Sequence, residues 1–232
     1  VKFIWANVFR SNARPVAFEE EPPIPKKKPS PPRQPLKNFL DLLLAPLLGL
    51  LVRLKFSPNA LTLAGAFLSL PVCLALLKGQ WTLAALWLLG GSFFDVLDGA
   101  LARALKSHKI FGAFLDSTMD RVSEAVIFFG FVLYYEGQQD SLGLTLAFAT
   151  GFLSQLISYT RARAEGLGLQ NEAGWITRPV RIVGLSAGLL LGQPTATLWI
   201  LALLSLVTVF QRIYHVFKAT EPGLKARKKK GS

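Results

Sequence analysis

Apolar residues run along most of this chain in blocks of about twenty, the length a helix needs to cross a bilayer. The blocks lie near 59–77, 81–105, 112–135, 141–165, 174–192 and 194–217. Between them stand short polar breaks: KGQ, SHKI, EGQQD, a QNEAG stretch and GQP. Connections that short force neighbouring helices to run antiparallel. The pattern predicts an all-α integral membrane protein with six transmembrane helices. Pro71 lies inside the first block and is expected to kink that helix without breaking it. Residues 36–54, LKNFLDLLLAPLLGLLVRL, are also apolar. Lys37, Asp41, Arg53 and Lys55 give this segment a thin polar face. It reads as an amino-terminal interfacial amphipathic helix on the cytoplasmic leaflet, rather than a seventh span.

Composition agrees with a membrane setting: 51% of residues are hydrophobic and only 17% charged, against about a quarter charged in soluble proteins. The net charge is +12. The basic residues flank the apolar blocks, so anionic lipid headgroups fit them better than nucleic acid does. Of 26 lysines and arginines, only Lys78 falls near a break on one side. The positive-inside rule therefore puts both termini in the cytoplasm, and the expected location is the cell membrane. Residues 1–10 lack the long apolar region and small-residue cleavage site of a signal peptide. Residues 1–35, rich in proline and charge, read as a disordered or tethering tail. The membrane domain is expected over 36–217, and 218–232 as a basic cytoplasmic tail. The single cysteine, Cys73, cannot form an internal disulfide. His108 and His215 read as interface residues.

One stretch departs from this apolar background: DVLDGALARALKSHKIFGAFLDSTMD, residues 95–120. Asp95 and Asp98 are three apart and Asp116 and Asp120 four apart, so each pair shares one helix face. With a turn between them, Asp98 sits roughly 10 Å below the end of its helix, and Asp116 and Asp120 about 6 and 12 Å down the next. The two pairs are thus expected to meet at one depth, near the cytoplasmic side. Each ionised carboxylate costs about 2.5–3.5 kcal/mol at a span centre, so four need counter-charge. Two divalent cations balance them, and an all-oxygen donor set favours Mg²⁺, Mn²⁺ or Ca²⁺ over zinc. A pair of such ions suits phosphoryl chemistry. Gly99 and Ala102 leave the backbone bare for a bulky ligand, and Arg103 is within reach of a phosphate. The competing reading is an ion or proton transporter. The placement of all four carboxylates at one end argues against it, because a conduit needs polar groups across the full thickness.

The arrangement Asp95-x2-Asp98-Gly99-x2-Ala102-Arg103-x8-Gly112-x3-Asp116-x3-Asp120 resembles the signature of the CDP-alcohol phosphotransferases. SPNALTLAG, residues 57–65, looks like that family's start of the first span. The resemblance implies a six-helix membrane enzyme, usually dimeric, that moves a phosphatidyl-type group from a CDP-linked lipid to an alcohol and releases CMP. It implies that Asp95, Asp98, Asp116 and Asp120 bind two metal ions, Mg²⁺ before Mn²⁺. Asp120 would act as general base. Asn59, Thr62, Asp98, Gly99, Ala102 and Arg103 would line the nucleotide site.

The acceptor is read from arginines. Arg161 and Arg163 end the fourth block, Arg178 and Arg181 open the fifth, and Arg212 lies near the end of the sixth. Arginines from three helices at one depth form a candidate phosphate pocket. For Arg163 and Lys218, snorkelling to headgroups is the simpler account. A phosphorylated acceptor therefore fits better than choline, ethanolamine or serine. FLDSTMDRVSEA and YTRARAE resemble the inositol-phosphate branch of the family, in which Arg161, Arg178 and Arg212 would hold the acceptor phosphate, with Arg181 beside them. Two positions depart from that branch: Glu124 replaces a more usual Asp, and TRPVR lacks an acidic residue before its first Arg. Glycerol 3-phosphate is the alternative acceptor.

Overall fold

The computed structural model describes residues 44–106, 110–169, 171 and 173–230, with side chains to residue 220. The amino-terminal tail, Lys37, Asp41 and His108 lie outside the described residues. All described elements are helices: α1 (Ala45–Arg53), α2 (Pro58–Phe67), α3 (Ser69–Leu77), α4 (Trp81–Ala104), α5 (Ile110–Gly137), α6 (Ser141–Gly166), α7 (Arg178–Leu190) and α8 (Pro194–Lys230). They belong to one compact unit.

Local chemistry sets the helix ends. Ser57 caps α2 by accepting from the Ala60 N–H at 3.2 Å, and Pro58 supplies the first helical φ. Asp140 caps α6 through the Gly143 N–H at 2.9 Å. The first predicted span is two helices meeting at Leu68. Pro71 has no N–H for the turn before it, and the Ser69 hydroxyl donates to the Ala66 carbonyl at 2.7 Å in the opened turn. The fifth block begins later than hydropathy suggests. Gly174 holds a φ of +115° and Thr177 is extended, so α7 starts only at Arg178. The sixth helix continues past 217 to Lys230.

Four stretches are long and apolar enough to cross a membrane: Pro58–Leu77, Trp81–Ala104, Ser141–Gly166 and Pro194–Thr220. The protein is an integral membrane protein. By the same measure α5 falls short because Asp116, Asp120, Arg121 and Glu124 interrupt its first half, and α7 because it has 13 residues.

The main core joins α3 to α8 through Val72, Leu76, Ala84, Phe131, Leu189 and Leu198. At the end where α4 starts and α5 finishes, the Trp81 ring meets Tyr134 edge-on at 4.7 Å. Beside them the Tyr135 hydroxyl pairs with Thr195 Oγ1 at 2.8 Å. A second cluster, Leu44, Leu48, Leu51, Leu61, Leu97 and Leu101, seats α1 on α2 and α4. Arg53 and Lys55 remain exposed at the end of α1. At Gly65 a Cβ would come within 2.9 Å of Phe94 Cβ and 3.4 Å of Asp95 Oδ1. Only glycine lets α2 approach α4 this closely beside the first aspartate.

Candidate active site

The aspartates stand on two helices that both pack on α2 and α3, at the end of the bundle opposite Trp81 and Tyr134. Asp95 and Asp98 lie in the second half of α4, Asp116 and Asp120 in the first half of α5. Asp98 is 6% exposed, and its Oδ2 accepts from Thr62 Oγ1 at 2.6 Å. Thr62 thereby fixes one carboxylate from α2. Asn59 lies on the same helix, its Oδ1 at 3.2 Å from where a Cβ would stand on Gly112. Asp95 and Asp120 converge on a single atom from elsewhere in the chain. Arg178 Nη1 lies 2.8 Å from Asp95 Oδ2 and 2.7 Å from Asp120 Oδ1. The two carboxylates therefore stand close enough for one nitrogen to bridge them. Asp116 is half-buried one turn before Asp120 on the same face.

Among the described residues, no three Asp, Glu, His or Cys side chains surround one point as a metal-ion site. The cation between the carboxylates is the Arg178 guanidinium. The donor set still suits a hard divalent ion. It consists of oxygens alone, it comes from two facing helices, and it is already drawn around a positive charge.

Arg178 owes its position to the loop before it. Three side chains of α8 hold that loop: Thr208 Oγ1 accepts from the Ile176 N–H at 3.3 Å, Gln211 Oε1 accepts from the Trp175 N–H at 3.3 Å, and Arg212 Nε donates to the Ala173 carbonyl at 2.9 Å. Asn171 Nδ2 donates to the Arg212 carbonyl at 3.5 Å, and Arg212 Nη1 donates to the Ile157 carbonyl on α6. Arg212, 4% exposed, thus spends two of its nitrogens on backbone oxygens.

Arg181 is committed as well. It is 4% exposed, and Glu124, 8% exposed, is its partner. Glu124 Oε1 accepts from Arg181 Nε at 3.0 Å, from Arg181 Nη2 at 2.7 Å and from Ser154 Oγ at 2.6 Å. Three helices are tied at one oxygen. Arg121, next to Asp120, reaches its Oδ2 at 3.7 Å, and the Arg121 carbonyl accepts from Gln155 Nε2 at 3.0 Å. Arg161 pairs one turn along with Glu165 at 2.9 Å on the exposed side of α6.

The geometry thus brings Asp95, Asp120 and Arg178 together and binds Asp98 to Thr62. Arg181 and Arg212, both candidates for the acceptor phosphate, bond here to Glu124 and to the Ala173 and Ile157 carbonyls. The Glu124–Arg181–Ser154 knot and the α8 loop clamp were missed. A signal existed: Glu124 follows Asp120 by one turn on the same face, and Ser154 and Gln155 are polar inside an apolar helix. Gly99 lies beneath Arg103, whose Nη1 is 3.5 Å from where a Cβ would stand.

Two cavities open among these helices, the first of them at Asp95 and Arg178. One of about 50 Å³ is lined by Asp95, Glu124, Arg178 and Arg181 on one side and by Trp87 and Ile127 on the other. A wider groove of about 630 Å³ runs between α1 and α4, with Arg53 and Arg103 along Leu48, Val52 and Ala100. Charge on one wall and hydrocarbon on the other suits a ligand with a phosphate head and a lipid tail.

Residues 55–219 match the family model of CDP-alcohol phosphatidyltransferases. A phosphatidylinositol phosphate synthase of Mycobacteroides abscessus is 39% identical over 189 residues, 77% of this chain and 84% of that protein. An archaetidylinositol phosphate synthase of Pyrococcus horikoshii is 37% identical over 174 residues, 75% of this chain and 90% of that protein. Among solved structures, the Mycobacterium tuberculosis phosphatidylinositol phosphate synthase with CDP-DAG bound superposes with a TM-score of 0.70 at 30% identity, covering 74% of this chain and 92% of that one. The same enzyme in complex with manganese and citrate gives 0.69 at 30% identity, covering 74% and 88%.

Proposed function

This chain belongs to the CDP-alcohol phosphatidyltransferase family and is a transferase, and we propose that it moves a phosphatidyl-type group from a CDP-linked lipid to inositol phosphate. The observation that carries the reading is the Asp95–Arg178–Asp120 bridge, which gathers carboxylates of the two signature helices around one positive charge. Names and ligands of the relatives support the donor and the acceptor: inositol phosphate products on bacterial and archaeal lipids, and a bound CDP-DAG.

In this reading the acceptor oxygen forms a bond to the lipid-bearing phosphorus, the pyrophosphate bond to CMP breaks, and Asp120 takes the acceptor's proton. Thr62 holds Asp98 in one orientation, so the first helix sets the register of the carboxylates. Gly99 and Ala102 leave room for the nucleotide, and Arg103 and Asn59 line its site with Thr62. Arg178, with Arg161 near the same end, offers charge to the acceptor phosphate. Arg181 and Arg212 belong to that pocket by holding its walls. Asp95, Asp98, Asp116 and Asp120 would hold two divalent cations, Mg²⁺ first and Mn²⁺ second. Their chemistry would be to neutralise the pyrophosphate and the charge that develops on departing CMP. The manganese complex of the M. tuberculosis enzyme supports a divalent ion.

The same proposal places six spans in the membrane, with α5 and α7 completing the four apolar ones and α1 lying at the interface. Both termini and the carboxylates face the cytoplasm, and two copies form a dimer. The test is CMP release by purified protein with CDP-diacylglycerol, Mg²⁺ and an acceptor panel. Release is expected with inositol phosphate. Release only with glycerol 3-phosphate would reassign the acceptor, and no release with any acceptor would remove the reading.

A further inference from the structure

We propose that Arg121 is a further acceptor-binding residue, one that holds the acceptor phosphate beside the carboxylate of Asp120. This rests on the transfer reading above and names a residue of the same site. The Arg121 side chain is 30% exposed, and its Nε is buried with no hydrogen-bond partner. Nη2 stands 3.7 Å from Asp120 Oδ2, beyond hydrogen-bond length. A buried donor without an acceptor loses its hydration and gains nothing in return, so it points to a missing partner. The arginines around it are engaged: Arg181 with Glu124, Arg161 with Glu165, and Arg212 with the Ala173 and Ile157 carbonyls.

The surroundings say what that partner is. Arg121 lies within electrostatic range of Arg178 and Arg181 on α7 and of Arg212 on α8, and Arg212 also of Arg161 on α6. Cations from four helices face one region, while Glu124 and Glu165 are bonded to Arg181 and Arg161. Such a region selects a compact anion with several acceptor oxygens, and a phosphate monoester has three. The backbone sets the direction. The Arg121 carbonyl accepts from Gln155 Nε2 at 3.0 Å, which pins this turn of α5 to α6. Successive helical residues point about 100° apart, so Asp120 faces Arg178 and Arg121 takes the adjoining face. An acceptor whose phosphate is held by Arg121 presents its hydroxyl at Asp120. The same ring without its phosphate has no such anchor, so Arg121 favours inositol phosphate over free inositol.

Two measurements on the full chain in detergent test this. Phenylglyoxal modifies accessible guanidinium groups, and peptide mass spectrometry reads each arginine. Inorganic phosphate, inositol phosphate or glycerol 3-phosphate should slow modification of Arg121 severalfold, and free inositol should not. Arg53, exposed at the end of α1, should be unaffected throughout. An unchanged rate at Arg121, or equal slowing at Arg53, would overturn the proposal. The second measurement is steady-state CMP release by Arg121→Gln. The KM for inositol phosphate should rise about tenfold or more, the worth of a hydrogen bond to a charged group, with the KM for the CDP-lipid within twofold. Arg121→Lys, which keeps the charge, should recover part of the loss. A fall in kcat with the acceptor KM unchanged, or equal rises in both KM values, would overturn the assignment. The protection measurement needs no turnover, so failure at Arg121 and failure of the transfer reading are separable.

Discussion

Removing the Glu124 carboxylate would strand Arg181, 4% exposed, with no counter-charge. Breaking a buried pair on one side costs about 3–5 kcal/mol, whereas replacing both partners with apolar residues is often neutral. Glu124→Ala is expected to lose stability of that order in thermal unfolding, and Glu124→Leu combined with Arg181→Leu to recover most of it. A loss under about 1 kcal/mol would rank the pair with exposed bridges. Asp120→Asn is expected to keep binding of the CDP-lipid while CMP release falls by about 10²-fold or more, the usual worth of a general base. Near-normal turnover would take that role from Asp120. At this scale the sequence exposed the aspartates, because spacings of three and four fix a shared face. It could not pair them. Arg178 meets Asp95 across 83 positions, and no local pattern encodes a partner that distant.

Among the elements, α7 is held by its loop as well as by its own apolar face. Thr208 on α8 contributes one hydroxyl to the Ile176 N–H, and that bond helps set where Arg178 begins. Thr208→Val keeps the shape and removes the bond, at a cost of about 0.5–1.5 kcal/mol. The expected readout is a raised KM for the phosphorylated acceptor, up to about tenfold by that energy, with kcat and the KM for the CDP-lipid little changed. An unchanged acceptor KM would show that the loop is held without it. Helix positions were largely legible from hydropathy, since runs of about twenty apolar residues have few other uses. The start of α7 was not, because apolar Trp175 and Ile176 sit in a segment whose backbone is set by Gly174 and Thr177. The break at Leu68 was expected only as a kink at Pro71, and the proline acts one turn earlier through the bond it cannot make.

In the molecule as a whole, most of the charge among the described residues stands at one end, with Lys78, Glu136 and Asp140 at the other. The aspartates and the arginines of α4, α5 and α7 stand at the charged end, while Trp81, Tyr134 and Tyr135 pack the other. Aromatic residues favour the membrane–water boundary. If the charged end is cytoplasmic, a cysteine at Gly168 (Gly168→Cys) should react with an impermeant thiol reagent only in opened cells or inverted vesicles. Gln80→Cys should react in intact cells, with Cys73 replaced in both. The reverse pattern would invert the topology. The grouping of the carboxylates at one end has a consequence for the membrane itself. If donor and acceptor both enter at the charged end, each turnover would add a lipid to the leaflet it was drawn from. The bilayer would become chemically lopsided as synthesis proceeds, and carrying these headgroups to the opposite leaflet would fall to a separate translocating protein.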